Sequence, residues 1–180
     1  DRLNRTRSSG GYLDTRTTCQ IFGQILSAVK VMHDMRPSIT NRDLKLENVL
    51  FGGPDNNTVK LCDFGSCVFG PVPIRNQREK TDAEETINKE TTPAYRAPEM
   101  VDLYMRSELT FKTDIWALGC ILYTLCYCVH PFQDGGSLAT LNGITSFPSV
   151  PAVPQDMQVL VTRMCDIDPE ARPTASQLID

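Results

Sequence analysis

Apolar residues recur at helical spacing early in the chain, where Phe22, Ile25, Leu26, Val29 and Met32 fall on one face. That spacing predicts an amphipathic helix, capped by Asp14 or Thr15 and ended by Pro37. The period then shortens. Residues 48–51 (NVLF) and 59–61 (VKL) are strand-like, and the GGPDNNT between them is dense in turn residues, so a hairpin is expected. From Asp114 the run IWALGCILYTL is apolar on nearly every side. Such a helix belongs in the middle of a core, here with Asp114 as its cap and Pro131 as its stop. Shorter helices are expected over 137–142 and 157–165, and Thr174 caps a last one. FPSVPAVP is too rich in proline for regular structure and should run extended. The opening segment DRLNRTRSSGGYLD, broken at Gly10-Gly11, reads as a short helix or loop. Residues 70–92 show no strong period and mix proline, asparagine and charge, which predicts a long surface segment without secondary structure. The pattern as a whole describes a mainly α fold with one small hairpin and no internal repeat.

Composition adds a few limits. The 180 residues are 41% hydrophobic and 22% charged, as in an ordinary globular domain with a sizeable core. A net charge of −4 lacks the broad basic footprint of a nucleic-acid binder. The 7 cysteines are odd in number and scattered, which suggests a reducing, intracellular setting and no disulfide framework. Cys126, Cys128 and His130 alternate like metal ligands, but no second pair follows at zinc spacing, so packing is the expected role. The apolar run 115–129 is interrupted by Gly119 and Thr124. It falls short of the roughly 18 residues that suggest a membrane span, so no transmembrane segment is expected. No signal peptide is visible either.

Four separated stretches carry candidate chemistry. Arg42-Asp43-Leu44-Lys45 is followed by Asn48, and Asp63-Phe64-Gly65 stands at the exit of the expected hairpin. TTPAYRAPE occupies 91–99, and Asp114, Trp116 and Gly119 precede Asp168-Pro169 and Arg172-Pro173. Each alone has a bland explanation. In this order and at this spacing they resemble the C-terminal lobe of a eukaryotic-type protein kinase, and the resemblance covers essentially the whole chain. It implies a partial protein kinase domain over 1–180, with a catalytic loop at 41–48 and an activation segment at 63–99.

Phosphoryl transfer depends on in-line positioning and charge neutralisation. By the resemblance, Asp43 orients a protein Ser/Thr hydroxyl and accepts its proton, and Lys45 stabilises the transferring phosphoryl group. The lysine two residues after the aspartate follows the serine/threonine pattern. Asn48 and Asp63 are the hard oxygen donors that Mg2+ prefers, so ATP and Mg2+ are the implied cofactors. Thr92 resembles the threonine that braces Asp43 and Lys45. Asp114 resembles the buried carboxylate that holds the catalytic loop's backbone, and Glu99 and Arg172 resemble a buried ion pair. Arg42 can pair with a phosphate on the activation segment, with Thr81, Thr86 and Thr91 as acceptors, although Glu84, Glu85 and Glu90 could supply the charge instead.

KLCDFGS (60–66), TTPAYRAPEMVDLY (91–104) and DIWALGCILYTLC (114–126) are similar to the Numb-associated kinases, which include the adaptor-associated and cyclin-G-associated kinases. HPFQDGGSLATLNG (130–143) is similar to the latter. This narrower resemblance implies an extra helix after Ala-Pro-Glu, over 99–106. It also implies a cytoplasmic enzyme, peripheral to endocytic membranes, that acts on clathrin-adaptor subunits.

Two departures stand out. The 180 residues hold no GxGxxG loop, strand lysine or helix glutamate, so the β-rich N-terminal lobe is absent and the chain is expected to be a piece of a longer kinase or a partial gene product. Negligible activity is expected of the piece alone, and the alternative is a pseudokinase or truncated lobe that acts as a protein-binding module. Asn41 also stands where the family carries a histidine. Asparagine keeps hydrogen-bonding capacity without the ring, so a tuning effect is expected.

Overall fold

Helix α1 (Thr15–His33) starts where the Asp14 side chain accepts the Thr17 N–H, and Asp34 closes it. The structure is a computed structural model that describes residues 11–54, 57–132 and 136–179. Expectations for 1–10, and for the turn residues 55 and 56, lie outside the described residues. Pro37 does not end α1; the helix has stopped by His33. The amphipathic face buries Ile21, Phe22, Ile25, Leu26, Val29 and Met32, as the spacing predicts.

The hairpin forms between β2 (Val49–Gly52) and β3 (Thr58–Leu61), antiparallel, with Val49 opposite Leu61 and Phe51 opposite Val59. Two further two-stranded pairs involve only two residues per strand. β1 (Ile39–Thr40) pairs with β4 (Val68–Phe69), and β5 (Val72–Pro73) with β6 (Glu108–Leu109). These short ladders fasten the segments on either side of Asp43 and Asp63.

Residues 70–92 are the largest correction. They contain β5 and then a helix, α2 (Gln77–Glu90). Asn76 caps it by accepting the Glu79 N–H at 3.0 Å, and the Glu79 carboxylate reaches back to the Arg75 N–H at 2.7 Å. These two contacts resemble a capping box, whose reciprocal bonds satisfy otherwise orphaned donors. Only Ala83 and Ile87 are buried, one turn apart, so the helix has almost no apolar stripe for a periodicity argument to detect. The helix expected over 99–106 is shorter than that: α3 is Pro98–Val101. Asp102 ends it, because its carboxylate takes the Tyr104 N–H at 2.9 Å in an Asx turn.

Helix α4 (Lys112–Tyr127) is the axis of the core. Every residue from Thr113 to Tyr127 is buried, as its all-round apolar sequence requires. It packs against α1 and α6 (Gln155–Met164), while α7 (Ala175–Ile179) covers α1. α5 (Gly136–Asn142) lies beside α3. Asp114 is not the cap of α4; the helix begins after Phe111 and Asp114 sits in its first turn. Nor does Pro131 end it, since Cys128 does so first by turning left-handed at φ 56°. Gly119 allows α4 and α6 to approach: a Cβ there would run into Cys165 Sγ and lie 3.1 Å from Met164 Cβ. Trp116 stacks on Phe132 with ring centroids 5.2 Å apart, and the Arg172 guanidinium lies over its ring. Helices thus dominate and the sheets are small, as the mainly α expectation had it.

Candidate active site

The loop that begins at Asn41 is held by one buried carboxylate. Asp114, 1% exposed, projects from the first turn of α4. Its Oδ2 accepts the Asn41 N–H at 2.7 Å and its Oδ1 the Arg42 N–H at 2.9 Å. His33 Nε2, at the end of α1, lies 3.0 Å from the same Oδ2. Two successive backbone donors satisfied by one side chain fix the loop's direction. This carboxylate therefore serves the loop, and at the start of α4 the Lys112 N–H goes to the Thr110 hydroxyl at 3.3 Å.

Above it the expected site residues converge. Asp43 Oδ1 accepts the Thr92 N–H at 2.8 Å, and Oδ2 accepts from Lys45 Nζ at 2.6 Å. Lys45 Nζ also donates to the Thr92 hydroxyl at 2.8 Å. Asp43, Lys45 and Thr92 thus close a triangle between the loop and the segment that follows α2. Asn48, in a 3₁₀ turn at Leu46–Asn48, donates from Nδ2 to the Asp43 carbonyl at 3.1 Å. That bond commits the nitrogen end of the amide and leaves its oxygen as the end suited to a ligand.

Asp63 stands at the exit of the hairpin. It follows β3 and has φ 63°, in the left-handed region. Its Oδ1 accepts the Gly65 N–H at 3.2 Å, and the residue is exposed. Phe64, next to it, is also exposed. The donors that Asn48 and Asp63 offer are an amide oxygen and a carboxylate. They match the oxygen ligands that Mg2+ selects, whereas thiolate or imidazole donors would suit softer metals. No group of three or more His, Cys, Asp or Glu among the described residues could hold a metal ion. Cys126 and Cys128 are buried, and His130 instead accepts the Phe132 N–H at Nδ1, 3.2 Å away.

Residues 66–99 are tied down at several points. Arg42 Nη2 pairs with Glu90 at 2.8 Å, and its Nε donates to the Ser66 carbonyl at 2.7 Å. Of the three glutamates available to Arg42, the one at the end of α2 takes it. The Ser66 hydroxyl donates to the Glu90 carbonyl. Arg96 binds Thr91 Oγ1 at 2.8 Å, Asn88 Oδ1 at 3.0 Å and the Ile87 carbonyl at 3.1 Å. Thr91 is buried with its hydroxyl engaged by Ile87 and Arg96, whereas Thr81 is exposed and its hydroxyl donates to the Gln77 carbonyl at 3.0 Å. Glu99 and Arg172 form the buried ion pair that the resemblance implied, bidentate at 2.7 and 2.8 Å.

Four participants were given no role of their own by the sequence. His33 shares the Asp114 carboxylate, Ser66 and Arg96 fasten α2, and Tyr95 lies edge-on to His130 at 4.6 Å. Burial pushes the Tyr95 hydroxyl far above its usual pKa, so it stays protonated. The same cause raises the Cys67 thiol, which lies 3.7 Å from Asn41 Nδ2.

The family model described as protein kinase domain matches residues 1–180. Actin-regulating kinase 1 of Saccharomyces cerevisiae is 42% identical over 160 residues, which is 89% of this chain and 25% of that protein. A probable serine/threonine-protein kinase of Dictyostelium discoideum is 39% identical over 176 residues, 98% of this chain and 16% of that protein. Serine/threonine-protein kinase sel-5 of Caenorhabditis elegans is 37% identical over 175 residues, 97% and 16% respectively. The chain therefore spans a quarter or less of the length of these relatives. No helix among the described residues is long and apolar enough to cross a membrane. The order of the motifs, the triangle that closes on Asp43 and the match along the whole sequence lead to one conclusion: the chain belongs to the protein kinase domain family.

Proposed function

We propose that this chain is the C-terminal lobe of a serine/threonine protein kinase and supplies the catalytic-loop side of its active site. The observation that carries the reading is the Asp43–Lys45–Thr92 triangle. Asp43 has one oxygen on Thr92 and the other on Lys45, so its carboxylate is oriented before any substrate arrives. A carboxylate held in this way can accept a hydrogen bond from a Ser/Thr hydroxyl and take its proton as the oxygen attacks. Lys45 is placed to share its positive charge between that carboxylate and an incoming phosphoryl group. Asn48 and Asp63 would hold Mg2+, which when bound neutralises charge on the ATP phosphates. Thr92 links loop and activation segment, so a shift of either disturbs Asp43.

The Numb-associated wording of residues 60–66, 91–104 and 114–126 supports clathrin-adaptor subunits as the protein substrates and endocytic membranes as the place of action. Two of the relatives carry actin-regulating kinase in their names, which describes those proteins. The 180 residues contain no glycine-rich phosphate loop, so by themselves they should transfer no phosphate at a measurable rate.

The test is phosphate transfer from ATP to Ser and Thr peptides by the full-length gene product. Asp43→Asn should lower turnover by about 10³-fold, within the usual range for loss of a positioned base. Asp63→Asn should abolish Mg2+-dependent nucleotide binding. An Asp43→Asn protein that keeps more than about a tenth of its turnover would overturn the assignment. A clathrin-adaptor subunit phosphorylated no faster than a scrambled control would remove the substrate claim alone.

A further inference from the structure

Asn41 does more than fill the position of a histidine. It is 2% exposed, and both ends of its amide are engaged. Oδ1 accepts the Asp43 N–H at 3.1 Å, and Nδ2 donates to Cys67 Sγ at 3.7 Å. Between the first two partners stands Arg42 with φ 67°, in the left-handed region that a side chain other than hydrogen disfavours. A side-chain oxygen that reaches the backbone N–H two residues on forms an Asx turn, and such a turn stabilises the residue it spans. Arg42 needs that help, because its conformation does two jobs. It sends the guanidinium to Ser66 and Glu90, and it presents Asp43 to Lys45 and Thr92. Asp114 holds the backbone N–H groups of residues 41 and 42 but not that of 43. The Asn41 side chain supplies the third.

We propose that Asn41 is a positioning residue for phosphoryl transfer: its amide closes an Asx turn that holds Arg42 left-handed and thereby sets the Asp43 carboxylate. This rests on the kinase reading above. A serine at 41 can close a similar turn through its hydroxyl, and an alanine cannot. A glycine at 42 adopts positive φ without help.

The experiment is steady-state kinetics on the full-length gene product, with thermal melts alongside. Asn41→Ala should lower kcat about 10-fold, with KM for ATP and for peptide unchanged within about 2-fold. Asn41→Ser should recover about 3-fold or more of that loss. In an Arg42→Gly background, Asn41→Ala should cost less than about 2-fold. Equal kcat for the Ser and Ala proteins, or an undiminished cost in the Arg42→Gly background, would overturn the proposal. Should Asn41→Ala prove insoluble, its rescue by Arg42→Gly supports the turn, and failure of that rescue refutes it. Asp43→Asn is the control: turnover above about a tenth of the unmutated protein's there would refute the kinase assignment and leave the turn untouched.

Discussion

The Glu99–Arg172 pair offers the sharpest test of how this fold is held. Arg172 Nη1 and Nη2 bind both Glu99 oxygens, at 2.7 and 2.8 Å, and the side chains are 0% and 2% exposed. Arg172 Nε also donates to the Asp166 carbonyl at 2.8 Å and Nη1 to the Lys112 carbonyl at 2.9 Å. Its guanidinium lies 5.2 Å from the Trp116 ring centroid. Glu99→Gln removes the negative charge and strands a buried cation, which should cost about 3–5 kcal/mol. For a chain of this size that lowers Tm by roughly 6–20 °C. Replacing both partners, as Glu99→Leu with Arg172→Met, removes the stranded charge and should be milder than Glu99→Gln. It should not restore full stability, because the Asp166 and Lys112 carbonyls each lose a hydrogen bond, at about 1 kcal/mol for each bond lost. Urea unfolding followed by circular dichroism measures all three proteins. A Glu99→Gln loss below about 1 kcal/mol, as for an exposed pair, would refute the reasoning.

Two other outcomes follow from the core. Gly119→Ala gains about 1 kcal/mol in helix propensity but drives a methyl into Cys165 Sγ and toward Met164 Cβ, so a net loss of about 1–2 kcal/mol is expected in urea melts. Cys165→Ala should recover part of that loss, and a stabilised Gly119→Ala protein would mean that α6 can shift freely. Burial holds His130 at about 4, below the usual histidine value, so the unfolded chain binds its proton first as pH falls. Its contribution is complete above about 6.5, declines as pH falls from there to about 4, and amounts to no more than about 3 kcal/mol. A His130→Asn protein should lose that slope in stability measured across the window, and an unchanged slope would place it elsewhere.

What could be read from the residues, and what could not, divides along a physical line. α1 and α4 were legible because burial writes itself into apolar spacing: one stripe in α1, all sides in α4. α2 was not, because its stability owes little to burial. Its cap lies at Asn76 and Glu79, and its far end is secured by Arg42, Ser66 and Arg96, which come from outside the helix. The N-x-x-E spacing at 76–79 was the one available signal, and it resembles a capping box. The loop residues Asp43, Lys45 and Asn48 were legible as types because their spacing is local. Their arrangement depends on Thr92 and Asp114, which only the family resemblance linked to them.

Asp114 shows why resemblance and local rules can disagree at one residue. An aspartate ahead of an apolar run reads as an N-cap, and a carboxylate in the first turn of a helix is favoured by the helix dipole in either case. The local rule cannot tell a carboxylate that turns back onto its own helix from one that turns away. The difference lies in competing donors. The N–H groups of residues 41 and 42 are brought to Asp114 by a loop more than 70 residues earlier, and His33 comes from the end of α1. Once those three arrive, both oxygens are occupied and none is left to cap α4. The helix thereby gives up this carboxylate as a cap, a contact worth about 1 kcal/mol, and keeps the longer one from Thr110. In return the loop that carries Asp43 is fixed to the most buried helix in the core. On this argument the stability of α4 and the geometry of Asp43 are coupled through one carboxylate, and a substitution that loosens either should be felt by both.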